Sequence, residues 1–119
     1  MINIDCSNYK SPNFLSWEQL KDKIDIARKE GKKIGLCTGS FDLLHPGHIS
    51  HFNAAKKLCD ILVVGIARDS FSGRKRESKG RPIFSHELRV FMVSNLKSVD
   101  YVILDNGSID IVLFIKPEV

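Results

Sequence analysis

Residues 61–67 read Ile-Leu-Val-Val-Gly-Ile-Ala, an unbroken apolar run with no polar residue on alternate positions. A strand of this kind has no face for water, so it must be covered above and below, which is the situation of a strand inside a parallel sheet flanked by helices. The surroundings agree. Lys33 to Thr38 is a second short, largely apolar segment. Between the two lie the turn-rich stretch Gly39 to His48 and then Ile49, Phe52, Ala55 and Leu58 at roughly helical spacing, which makes a βαβ unit. Further along, Ser85 caps a helix carrying Leu88, Phe91, Met92 and Leu96, and Tyr101 to Leu104 is a third strand. Ser16 with Gln19 three residues on forms a capping box for an amphipathic helix of Trp17, Leu20, Ile24 and Ala27 that Gly31 ends. The fold class is therefore α/β, a parallel sheet with helices on both faces. Ile109 to Ile115 reads as strand by its β-branched content.

At 119 residues and 43% hydrophobic content, the chain holds one domain with a modest core. Residues 1–32 form a lead-in, with a turn at Ser11-Pro12-Asn13, and a covering helix; residues 33–119 form the main body. The net charge of +4 and a pI near 9.1 favour acidic ligands. The basic residues concentrate in Arg74-Lys75-Arg76 and Lys79 to Arg81, which a nucleotide or sugar phosphate explains as well as nucleic acid does. Three cysteines without CxxC spacing read as reduced thiols. No secretory leader precedes residue 33 and no run approaches the ~20 apolar residues of a membrane span, so a cytoplasmic protein is expected, with no membrane partner.

The chemistry concentrates in Gly39-Ser40-Phe41-Asp42-Leu43-Leu44-His45-Pro46-Gly47-His48, at a strand-to-helix junction. A helix N-terminus presents unpaired N–H groups and about half a positive charge, and Pro46-Gly47 permits a sharp entry with close backbone approach, so the junction suits an anion. His45 and His48 stand beside it. His45, His48 and His51 also recur at intervals of three, but no carboxylate or cysteine is spaced to complete a tetrahedral zinc set.

This stretch resembles the signature of the cytidylyltransferase-like nucleotidyltransferases, a Gly-x-Phe-Asp turn followed by His-x-Gly-His. The resemblance continues through Ala55 to Asp69, Lys79-Gly80-Arg81-Pro82-Ile83, Arg89 and Val99 to Val102, and covers most of the chain from Lys33. Within the family it is nearest to the heptose-1-phosphate adenylyltransferase branch, with glycerol-3-phosphate cytidylyltransferase as the near relative. It implies a Rossmann-like sheet and a helix at 109–115, and transfer of a nucleotidyl group from ATP or CTP to a phosphorylated acceptor with release of pyrophosphate. Sugar phosphates such as heptose 1-phosphate are favoured, and glycerol 3-phosphate is the alternative. It further implies Mg²⁺ held mainly by the nucleotide phosphates, and a homodimer. His45, His48 and Lys79 are the expected catalytic residues. Thr38, Gly39, Ser40, Phe41, Asp42, Gly47, Asp69 and Arg89 are expected around the nucleotide, with Asp42 orienting the turn or assisting the metal, and Lys75 and Lys79 at the acceptor phosphate. Relatives continue beyond Pro117-Glu118-Val119 into a further strand and a Ser/Thr-rich motif, so the fold is expected to be incomplete at the C-terminus.

A nucleotide-binding module with weak or no catalysis is the second function class. Nucleic-acid binding is disfavoured because the basic stretch lacks interleaved aromatics to stack bases. A dinucleotide dehydrogenase is disfavoured because no G-x-G-x-x-G follows the first strand.

Overall fold

The computed structural model describes residue 5, residues 7–69, 83–107 and 109–119. In chain order its elements are α1 (Trp17–Lys29), β1 (Ile34–Gly39), α2 (Pro46–Lys57), β2 (Ile61–Ala67), α3 (His86–Ser94), β3 (Tyr101–Asp105) and α4 (Asp110–Ile115). The three strands form one parallel sheet in the order β1-β2-β3, with Ile34 opposite Ile61 and Val63 opposite Tyr101.

Strand β2 is central, and its side chains divide the core by simple alternation. Leu62, Val64 and Ile66 join Phe52 of α2 and Val90 and Val93 of α3 on one face. Val63 joins Leu20, Ile24 and Ala27 of α1 and Ile111 and Ile115 of α4 on the other. Gly65 is small for a reason: a Cβ there would lie 2.5 Å from Ile111 Cδ1, so its absence lets α4 sit close to the sheet.

Helix α1 starts with the capping box read from the sequence. Gln19 N–H donates to Ser16 Oγ at 3.2 Å and Ser16 N–H to Gln19 Oε1 at 2.9 Å. Gly31 follows the helix with φ +78, a left-handed value at which an L side chain is strained. In the ambiguous segment the helical alternative holds, as α4. Its Ile111 and Ile115 are one turn apart and both reach the core while Leu113 between them is exposed, whereas a strand would turn all three side chains to the same face.

The helix α2 differs from its sequence pattern. Phe52 is buried and Ala55 half-buried, but Ile49 is 41% and Leu58 64% exposed. A strict three-residue repeat loses 60° of helical phase at each step, so four such positions spread over half the helix circumference and cannot all face the sheet.

Both sheet edges are occupied. Leu15 N–H donates to Val102 O and Val102 N–H to Asn13 O, laying the lead-in along β3. Along β1, Glu118 N–H donates to Ile34 O and Leu36 N–H to Val119 O. The Glu118 carboxylate also accepts from Ile34 N–H at 2.8 Å. Extended chain on each edge satisfies backbone groups that would otherwise template association.

Candidate active site

The motif forms the connection from β1 to α2 at the carboxyl edge of the sheet, where open parallel sheets bind ligands. Residues 38–43, with His45 and His48, line a pocket of about 420 Å³. Thr38, Gly39, Ser40, Phe41, Asp42, His45 and His48 are therefore brought together in one pocket, and Gly47 lies in the first turn of α2 beside them.

Phe41 adopts φ 50, an uncommon left-handed conformation for a bulky residue. Packing holds it there. Its ring is buried 5.1 Å from Phe52 and meets His48 edge-on at 5.4 Å. It also lies across Gly39, where a Cβ would come within 2.9 Å of the ring. The glycine is thus required by the aromatic ring two residues later.

The two histidines brace each other. Gly47 N–H donates to His45 Nδ1 at 3.0 Å, and His45 N–H donates to His48 Nδ1 at 3.3 Å. The rings stack with centroids 3.9 Å apart. A backbone N–H can only donate, so each Nδ1 is an acceptor and each neutral ring carries its proton on Nε2. Burial, with the neighbouring His45 and His51, pushes the His48 pKa below the usual histidine value of 6.5. Helix α2 has no acidic residue in its first turn to offset its positive end. The site therefore offers two fixed imidazole N–H donors beside a helix N-terminus.

Asp42 is buried, and its carboxylate accepts from Ile83 N–H (2.8 Å to each oxygen) and Phe84 N–H (3.0 Å). These bonds tie the motif turn to the segment that enters α3. Arg89, expected around the nucleotide, does not line the histidine pocket. It is 0% exposed, because its guanidinium donates to Phe84 O, Ser40 O and Ala67 O and pairs with Asp69 Oδ1 at 2.7 Å. It therefore lies beneath the site and joins the ends of β1 and β2 to α3. Asp69 is its counterion and does not line the histidine pocket. Lys75 and Lys79 lie outside the described residues.

Among the described residues, the possible metal-ligating groups that converge are Asp69, His86 and Glu87, within 4.8 Å of one another; His45, His48 and His51 do not. The buried Cys37 Sγ lies 3.6 Å from His51 Nε2, and desolvation raises its thiol pKa, so it offers no thiolate nucleophile. His86 and Glu87 were not anticipated. Their only sequence signal is their position directly after the Ser85 cap.

Among the described residues, no helix is long and apolar enough to cross a membrane. The profile of the family described as Cytidylyltransferase-like matches residues 36–111. The chain is similar to the Bifunctional protein HldE of Helicobacter pylori (strain ATCC 700392 / 26695), 38% identical over 94% of this chain and 23% of the relative. It is also similar to that of Paramagnetospirillum magneticum, 38% identical over 81% of this chain and 20% of the relative. The chain thus spans about a fifth to a quarter of these relatives. A lipopolysaccharide core biosynthesis protein from Thermoplasma volcanium has the same fold, with TM-score 0.66 and 40% identity over 74% of this chain and 71% of its own. The matched span contains the whole histidine pocket and all but the first two residues of the sheet beneath it, and on that ground the chain belongs to the cytidylyltransferase-like family.

Proposed function

We propose that the protein transfers a nucleotidyl group from ATP or CTP to a phosphorylated acceptor, a sugar phosphate such as heptose 1-phosphate in preference to glycerol 3-phosphate, as a cytoplasmic homodimer. The observation that carries this reading is the braced histidine pair, with both Nδ1 atoms held by backbone N–H groups and both Nε2–H groups available at the start of α2.

In the reaction an acceptor phosphate oxygen attacks the α-phosphorus of the triphosphate. The new P–O bond forms as the bond to the bridging oxygen of the β-phosphate breaks, and pyrophosphate leaves with that electron pair. The protein needs no covalent nucleophile for this, only positioning and charge stabilisation. His45 and His48 donate to α-phosphate oxygens, the N-terminus of α2 adds its partial positive charge, and the chain from Gly39 to Phe41 lets the nucleotide approach the backbone. Arg89 and Asp42 hold those groups in register from below. In this reading Lys75 and Lys79 reach the acceptor phosphate or the triphosphate.

Asp42 is the carboxylate of the pocket and already accepts backbone N–H groups on both oxygens. That donor set fits Mg²⁺ ligated mainly by phosphate oxygens, where the ion neutralises the charge of the triphosphate.

The test is pyrophosphate release from ATP and from CTP, with Mg²⁺, against a panel of phosphorylated acceptors. His48→Ala should lower the rate about 10²–10³-fold, the usual cost of one transition-state donor. Equal rates from the two proteins refute the transferase reading. Nucleotide binding without pyrophosphate from any acceptor would instead make the protein a nucleotide-binding module.

A further inference from the structure

A second pocket of about 300 Å³ opens on the same edge of the sheet, between the lead-in, α3 and the end of β3. Its apolar wall is Phe14, Val90 and Leu104, and its polar groups are Tyr9, Ser11, His86 and Glu87.

Its position is defined by a continuous polar chain. Asp69 N–H donates to His86 Nδ1 at 3.2 Å, so the other ring nitrogen, Nε2, is the one that faces Glu87 Oε1 at 3.3 Å. Asp69 Oδ1 pairs with Arg89, whose Nη1 donates to Ser40 O in the wall of the histidine pocket. One aspartate and one guanidinium therefore separate the two pockets. Ser40 follows β1, Asp69 follows β2 and Leu104 is the last residue but one of β3, so both open along one carboxyl edge of the sheet.

The lining indicates the ligand. A carboxylate, an imidazole, a phenol and a small hydroxyl are partners for alcohol hydroxyls, and an aromatic and aliphatic wall suits the C–H face of a sugar or polyol. Among the described residues its lining is hydroxyls, an imidazole, a carboxylate and apolar side chains. Hydrogen bonding to the backbone and the adjacent His86 keep Glu87 below the usual carboxylate pKa, so it is an ionised acceptor at neutral pH.

We infer that this pocket is the acceptor subsite, where Glu87 and His86 bind the hydroxyls of the uncharged, polyhydroxylated body of the acceptor while its phosphate lies toward His45 and His48. The inference rests on the transferase reading for the acceptor's role, but the pocket's preference for hydroxyls can be measured without turnover.

Glu87 is exposed, so Glu87→Gln is expected to fold, and Tyr9→Ala provides a second probe from a different segment. The KM for heptose 1-phosphate and for glycerol 3-phosphate should rise about 10–100-fold in Glu87→Gln, the effect of losing a hydrogen bond to a charged group, while the KM for the nucleotide stays within about two-fold. Tyr9→Ala should raise the same acceptor KM. An unchanged acceptor KM in both variants overturns the inference. So does a rise confined to the nucleotide KM, which would give the pocket to the nucleotide. If no acceptor supports pyrophosphate release, the transferase reading fails on its own, and calorimetric titration with heptose 1-phosphate decides the subsite. Binding weakened at least about ten-fold by Glu87→Gln supports it, and binding equal in the two proteins, or not detected in either, overturns it.

Discussion

Arg89 shows how one buried side chain can organise a site without entering it. Its guanidinium reaches three carbonyls and one carboxylate, drawn from the motif turn, the end of β2 and the entry to α3. The fixed fork of donors satisfies several acceptors at once, which a lysine or a neutral chain cannot reproduce. Arg89→Met should therefore destabilise the fold by roughly 3–5 kcal/mol, because it leaves Asp69 without its counterion and removes donors from buried carbonyls. Urea denaturation measures this, and a change below about 1 kcal/mol would mean the network is not needed. The arginine itself was visible in the sequence. Its burial was not, because an arginine in a helix between Leu88 and Val90 reads as solvent-facing until the fold places carbonyls around it. Gly39 is similar: its family spacing marks it, but only the structure reveals the Phe41 ring across its Cα.

At the scale of elements, the N-terminus of α2 is an unusual cap in which histidines take the places of the hydroxyl and carboxamide of a capping box. The His48 pKa is lowered, first by burial and then by its histidine neighbours. The unfolded chain therefore binds the proton more tightly, and stability from this group is present above 6.5 and is lost as pH falls through the folded value. Protonation also removes the Nδ1 lone pair that accepts His45 N–H. The urea midpoint should fall between about pH 7 and pH 5, and the fall should be shallower in His48→Ala. Identical slopes in the two proteins would exclude His48 as its source. Strands and caps were legible because their signals are local: Ser16 with Gln19 marks α1, Gly31 ends it, and the run at 61–67 marks β2. The phase of α2 was less so, because three-residue spacing alone does not state which side meets the sheet.

For the whole molecule, the two clusters of apolar side chains share one three-stranded sheet, with Leu62 in one and Ile103 in the other, both fully buried. Strands of the same sheet cannot lose one covering layer and keep the other, so the domain should unfold as one cooperative unit. Leu62→Ala and Ile103→Ala should each cost about 2–5 kcal/mol and shift the same single transition. Far-UV circular dichroism and Trp17 fluorescence should coincide in both; separate transitions would show that the layers are independent.

The α/β alternation, the buried central strand and the phosphate-suited histidine junction follow from the sequence by itself, since periodicity, caps and turn residues act over a few positions. Only the tertiary structure decided that Asp42 ties the turn to Ile83 and Phe84, that Arg89 lies under the site, and that Tyr9, His86 and Glu87 share a pocket. Those residues are up to 80 positions apart along the chain, and only the parallel crossovers between the strands bring them to one edge.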